Sequence, residues 1–325
     1  MGFPIIGETF EFMKLHDARQ LPTFIKERIL RYGPVFRTSL FGGKAIISMD
    51  IELNVEIAKA NYLPGITKSI LRLFGENNLF IQSKESHKHV RNLTFQLLGP
   101  QGLKLRMDED VNILARTYME EGARNGFLNV KETSSKILIE CLGKKVMGEM
   151  EPHAAKQLAL CWRYFPREWF QFSWNVPGTD VYRMMKVINE SLRITSTAPT
   201  VLRITDHDFQ FGDYTIPAGW IFMGYANVHF NPEKYDDPLT FNPWRWKRED
   251  LGSILSKTYI PFGAGSRLCV GAAFAKLQMA IFIHHLFRYR WSMKKETTVF
   301  RRFMLMFPCG SDVQITEECK EDNSD

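Results

Sequence analysis

Apolar residues recur at spacings of three and four along most of this chain, a pattern typical of amphipathic helices. It predicts helices over 21–32, 51–60, 86–98, 108–121, 130–146, 154–165 and 272–287. Short alternating runs beside turn residues predict strands over 35–40, 44–48 and 300–307, and two more within 209–222. The helices outweigh the strands, so the expected fold class is mainly α with small β-sheets.

Composition and charge narrow the class of protein only slightly. A chain of 325 residues with 45% hydrophobic residues can bury a sizeable core. The net charge of +6 is diffuse and compatible with an anionic membrane surface, and no basic helix carries interleaved aromatics, so no nucleic-acid partner is expected. The five cysteines include no C-x-x-C pair, which indicates a reducing compartment rather than a disulfide framework.

A glycine-rich loop with one cysteine directly precedes the last predicted helix. Cys269 therefore lies near a helix N-terminus, where unpaired N–H groups and the macrodipole stabilise a thiolate, a soft metal ligand. Gly265 and Gly271 would let the backbone turn tightly and approach a flat group, and Arg267 could pair with an anion beside the metal. A lone cysteine here is more often a small buried hydrophobe, so residue types alone favour that second interpretation.

Other candidate residues also have an ordinary structural explanation when each is taken alone. His87 and Arg91 are four residues apart and share a helix face, which a solvated basic surface would explain. Glu190 and Arg193 could pair on any helix. Arg203 could be an ordinary surface strand residue.

The order of three motifs changes this balance. E-x-x-R at 190–193 is followed by F-x-P-x-R at 241–245 and then by F-x-x-G-x-R-x-C-x-G at 262–271. In this order they resemble the haem-thiolate monooxygenases, the cytochrome P-450 superfamily. The resemblance implies a cytochrome P-450 fold around haem b, with Cys269 as the axial ligand of the iron. The stretch 241–246 and the helix after Cys269 resemble the plant clan of brassinosteroid, sterol and triterpenoid oxidases.

The resemblance also implies a role for each of the other candidates. Glu190, Arg193 and Arg245 would form a buried ionic network that braces the haem loop. Ser196, Thr197 and Ala198, just before Pro199, would line the substrate pocket. The remaining cofactor-binding residues would be His87, Arg91 and Arg203 at the haem propionates, and Phe262, Gly265, Arg267 and Gly271 in the loop.

The activity implied in this way is oxygen-dependent hydroxylation of a lipophilic isoprenoid. Electrons would come from an NADPH-dependent flavoprotein reductase. A complete-length form is expected on the endoplasmic reticulum membrane, facing the cytosol. This chain begins where the family's membrane anchor ends, so it is expected to be soluble or peripherally attached.

One feature of the family has no counterpart in this sequence. The long helix that crosses the distal face of the haem, with its A/G-G-x-D/E-T stretch, is expected between Lys186 and Val187, where the chain passes directly from one half to the other. We therefore predict a single haem-thiolate monooxygenase domain over 1–325, internally truncated at about 186/187.

Two alternative functions stay open at this point. The first is a catalytically inactive truncated isoform that binds haem weakly or not at all, or that acts only as a decoy for the reductase. The second is a helical binding protein with a structural cysteine, which would leave the order of the three motifs unexplained.

Overall fold

The computed structural model describes residues 7–60, 62–65, 84–99, 107–147, 180–197, 201–247, 258–293, 298–307 and 311–317. The predicted helix 154–165 lies outside these residues. The described helices are α1 Thr9–Phe12, α2 Thr23–Tyr32, α3 Ile51–Lys59, α4 Lys84–Leu98, α5 Met107–Asn125, α6 Val130–Met147, α7 Asp180–Ile194 and α8 Ala272–Leu286.

Thirteen short strands accompany the helices in the described part of the chain. They are β1 His16–Asp17, β2 Val35–Leu40, β3 Gly43–Ser48, β4 Leu63–Pro64, β5 Phe127–Asn129, β6 Val201–Ile204, β7 Phe209–Phe211, β8 Tyr214–Ile216, β9 Ile221–Gly224, β10 Tyr289–Met293, β11 Phe300–Arg301, β12 Leu305–Met306 and β13 Asp312–Glu317. The expected fold class, mainly α with small β-sheets, is confirmed.

The largest sheet has five strands in the order β2-β3-β9-β6-β4. Strands β2 and β3 form an antiparallel hairpin, and β3 pairs in parallel with β9. One core cluster contains Phe36, Ala45 and Ile47, and a second contains Val35 and Ile46, as the alternation along paired strands requires. Both faces of this sheet are therefore buried. Strand β6 lies between β9 and β4 in the sheet, so its residues, including Arg203, have a fixed position.

The chain divides into two compact units. The first comprises 1–94, 189–270 and 299–306, and includes the five-stranded sheet. The second comprises 95–188, 271–298 and 307–325, where α5 packs against α6 and α8. No helix in the described ranges is long and apolar enough to span a membrane.

Helix α7 runs without interruption across the position of the expected truncation. Met185 and Ile188 are buried on either side of it, while Val187 is exposed. The apolar face of one amphipathic helix therefore continues through 186/187.

One strand prediction was wrong. The segment 300–307 is not a single strand, because β11 and β12 are separate two-residue strands paired antiparallel to each other. Arg301 pairs with Leu305 and also with His16 of β1, so the segment folds back on itself within a three-stranded sheet.

Candidate functional site

The cysteine loop is closed by its own backbone. The N–H of Cys269 donates to the carbonyl of Phe262 at 3.0 Å, and the N–H of Leu268 donates to the carbonyl of Gly265 at 3.1 Å. Cys269 is a half-buried thiol that forms no disulfide, and α8 begins three residues later at Ala272. The predicted placement of this thiol just before a helix N-terminus is confirmed.

Gly265 is required by the fold of the loop. Its φ is +69°, and a Cβ at this position would lie 2.2 Å from the carbonyl oxygen of Ala58 in α3. The loop therefore approaches the backbone of another helix, a reason for glycine that sequence reasoning did not supply. Gly271 has a φ of −84°, which any residue can adopt, so its backbone conformation gives no reason for glycine.

Four basic side chains from three segments lie close enough beside this loop to shift one another's pKa. His87 and Arg91 come from α4, Arg203 from β6 and Arg267 from the loop. Burial, and then the charges of Arg267, Arg91 and Arg203, lower the pKa of His87 to about 4, so this imidazole is neutral at pH 7. Burial and then the charge of Arg267 lower the pKa of Arg203 to about 10.

Arg203 is a buried cation that lacks a counter-ion among the described residues. Its side chain donates to the carbonyl of Leu202 at 3.0 Å, but its Nε is buried without a hydrogen-bond partner. A buried charge without a partner is costly, so this position fits an anionic group. Haem b carries two carboxylates and an iron, so a cluster of cationic donors beside a thiol fits its charges.

Arg91 contacts the cysteine loop directly. It donates a hydrogen bond to the carbonyl of Leu268, the residue before Cys269. Burial lowers the pKa of Arg91, and the charge of Cys269 acts in the opposite direction. Arg91 therefore holds the loop as well as lying beside the other basic residues.

The predicted ionic network of Glu190, Arg193 and Arg245 is present, with Glu190 and Arg193 fully buried and Arg245 partly buried. Arg193 forms a bidentate pair with the carboxylate of Glu190, at 3.0 and 2.9 Å, and Arg245 Nε donates to Glu190 Oε1 at 3.0 Å. The Trp246 indole N–H and the Asn242 backbone N–H also donate to this carboxylate, each at 3.0 Å. Five donor contacts thus satisfy one buried charge, as a stable buried ion pair requires.

The charge state of Glu190 follows from these contacts. Burial alone would raise its pKa, but hydrogen bonds from Arg193 and Asn242, with the charges of Arg193 and Arg245, lower the pKa overall. The carboxylate is therefore ionised at neutral pH. The predicted ion pairs of this trio are therefore present, and their bracing of the haem loop stays a prediction.

Two contributors to this region were missed by sequence reasoning. Trp246 ends the stretch 241–246, and an indole next to Arg245 could have suggested a second donor to Glu190. His229 is a lone histidine outside every motif, and nothing in the sequence pointed to it. Its imidazole accepts a hydrogen bond from the backbone N–H of Ile260 at 3.1 Å, directly before the cysteine loop.

The predicted pocket-lining residues are only partly described. Ser196 is buried, and Thr197 accepts a backbone hydrogen bond from Leu305 at 3.3 Å. Ala198 and Pro199 lie outside the described residues.

A separate cleft of about 890 Å³ lies in the first unit between α2, β2 and the β7–β8 hairpin. It is lined by Arg31, Arg37 and Tyr214, among others, and by none of the predicted site residues. The basic cluster beside Cys269, rather than this cleft, is therefore the candidate site.

The chain is similar in sequence and fold to proteins of one family. The family model described as Cytochrome P450 matches residues 182–309. Cytochrome P450 708A2 of Arabidopsis thaliana is 26% identical over an alignment of 437 positions that covers 98% of this chain and 91% of the relative. Cucurbitadienol 11-hydroxylase of Siraitia grosvenorii is 24% identical, with 97% and 92% covered. The solved structure of retinoic acid-bound cyanobacterial CYP120A1 matches with a TM-score of 0.72 at 17% identity, covering 98% of each chain.

Proposed function

This chain belongs to the cytochrome P450 superfamily, and we propose that it serves haem-dependent hydroxylation of a lipophilic isoprenoid of the sterol, brassinosteroid or triterpenoid class. The observation that carries the proposal is the loop thiol of Cys269 beside a cluster of basic residues that includes the buried Arg203. Relatives are named for the hydroxylation of cholesterol, cucurbitadienol and β-amyrin, which supports the substrate class.

The haem of this family supplies the oxygen chemistry that side chains cannot perform. Cys269 would hold its iron as a thiolate, the form that a nearby helix N-terminus and the Arg91 guanidinium favour. Arg203 and Arg267 would hold the carboxylates by charge. The neutral imidazole of His87 would donate an N–H to one of them.

The ionic network around Glu190 would stabilise the position of the cysteine loop through contacts with the residues before it. Arg193 Nη1 donates to the carbonyl of His229 at 3.0 Å, and the His229 ring binds the backbone of Ile260. Helix α7 is thereby connected to the residue that precedes the loop.

The proposed partner is an NADPH-dependent flavoprotein reductase, because the family receives its electrons from a redox partner. A lipophilic substrate of this class partitions into membranes. We therefore place a complete-length form on the cytosolic face of the endoplasmic reticulum.

A second candidate function is that of a catalytically inactive truncated isoform. The alignment with the Arabidopsis relative extends over 437 positions, 112 more than the 325 residues of this chain, although it covers nearly all of both. The relative therefore has internal segments without a counterpart here, which supports an internal truncation; its position at about 186/187 is part of the proposal.

The two candidates differ in the product formed per NADPH consumed. The 325-residue chain, and a form with a family distal segment restored between Lys186 and Val187, are incubated with a plant flavoprotein reductase, NADPH and a sterol and triterpenoid panel. Hydroxylated product in proportion to NADPH from the chain itself contradicts the inactive isoform. Product from the restored form alone supports truncation, and no product from either form contradicts the proposed activity.

A further inference from the structure

His229 lies where three segments of the first unit meet. It belongs to the 3₁₀ turn Ala226–Phe230 and is fully buried. Its Nε2 accepts a hydrogen bond from the backbone N–H of Ile260 at 3.1 Å. Its Nδ1 lies 3.3 Å from the Oγ of Ser196, two residues after the end of α7.

The hydrogen-bond geometry permits a single arrangement of protons. Burial, and then the charge of Arg193, lower the pKa of His229 to about 3, so the ring is neutral. Because Nε2 accepts from Ile260, the ring proton is on Nδ1 and is donated to Ser196 Oγ. The Ser196 hydroxyl in turn donates to the carbonyl of Leu192 at 3.1 Å. Every polar atom in this chain of contacts is satisfied.

The two ends of this chain of contacts lead to different parts of the site. Ile260 directly precedes Pro261 and the loop that carries Cys269. Ser196 begins the segment that would line the substrate pocket and that continues to Arg203 in β6. A packed, hydrogen-bonded imidazole between them can transmit a displacement of one segment to the other.

We propose that His229 is a positioning residue that couples the Ser196 segment to the cysteine loop through the backbone of Ile260. The effect of this coupling on substrate and haem binding rests on the proposed function. The coupling itself rests only on the hydrogen bonds of His229. Contact of substrate with the Ser196 segment would then change the position of the loop that holds Cys269.

The test measures amide hydrogen exchange of Ile260 in the full chain. His229→Phe removes the acceptor and should increase this exchange about tenfold, the effect of losing one buried hydrogen bond. His229→Gln retains an acceptor near the position of Nε2 and should restore most of the protection. The matched control His285→Phe replaces another buried histidine, bonded to Asn112 at 2.7 Å, and should leave Ile260 unchanged.

The coupling is tested from its other end by Ser196→Ala. This variant should increase exchange at Ile260 when His229 is present and should add nothing in the His229→Phe background. An Ile260 amide that does not respond to Ser196→Ala overturns the proposal, even if His229→Phe fails to fold. Equal exchange in His229→Phe and His229→Gln overturns it as well. Both exchange measurements are made without haem. They therefore test the coupling even if Cys269 proves not to be a haem ligand.

Discussion

At the scale of single residues, Gly265 shows that close packing of the backbone can require a glycine within a motif. Gly265→Ala should lower the free energy of unfolding, because it adds a Cβ at φ +69° and 2.2 Å from the Ala58 carbonyl oxygen. The control Gly219→Ala has φ +75° with no atom within 4 Å, and should cost only the left-handed strain of about 1–2 kcal/mol. Urea unfolding compares them. Equal losses would mean that the contact with α3 is unimportant.

His229 makes the stability of the protein depend on pH. Its folded pKa of about 3 lies below the unfolded value of 6.5, so the unfolded chain binds more protons between these values. Its contribution to stability is therefore complete above pH 6.5 and declines as the pH falls toward 3. His229→Gln should reduce the loss of unfolding free energy between pH 7 and pH 5.

The control for this pH effect is His89→Gln, at an exposed position on α4. It should leave the pH dependence as in the unaltered chain. An unchanged pH dependence in His229→Gln would show that this imidazole is not a neutral buried group.

At the scale of elements, the network around Glu190 connects α7 to the segment with Arg245 and Trp246. Arg193→Ala should cost about 3–5 kcal/mol of stability, because it leaves the fully buried Glu190 carboxylate with fewer partners. Thermal or urea unfolding measures the loss. Glu56→Gln, which breaks the exposed pair with Lys59, is the control and should cost less than about 1 kcal/mol. A similar cost for both variants would contradict the bracing role.

Elements with long amphipathic patterns and the strands of the β2–β3 and β7–β8 hairpins were predictable from sequence, whereas the two-residue strands were not. Helices α2 and α3 lie within two residues of their predicted bounds, because one face of each packs on a sheet. The two-residue strands β11 and β12 exist only through their pairing with each other and with β1. A local pattern carries no information about such pairing, and β10 and β13 were missed for the same reason.

At the scale of the whole molecule, the candidate site combines segments that are distant in sequence. Cys269 could be identified from motif spacing, since its loop is local. The mutual influence of His87, Arg203 and Arg267 could not, because it depends on how α4, β6 and the loop come together. His229 escaped prediction because its function comes from burial and from hydrogen bonds to distant residues.

The central claim of the account is that Cys269 is the thiolate ligand of haem iron. The most direct test is the spectrum of the reduced, carbon-monoxide-bound protein, recorded for the haem-reconstituted chain and for the form with the restored segment. Cys141→Ala, which removes the other cysteine among the described residues, is the matched control and should keep the red-shifted Soret band of thiolate ligation. Cys269→Ala should abolish that band. A red-shifted band that persists in Cys269→Ala would contradict the claim. The absence of this band from both the chain and the restored form, each with Cys269 intact, would contradict it as well.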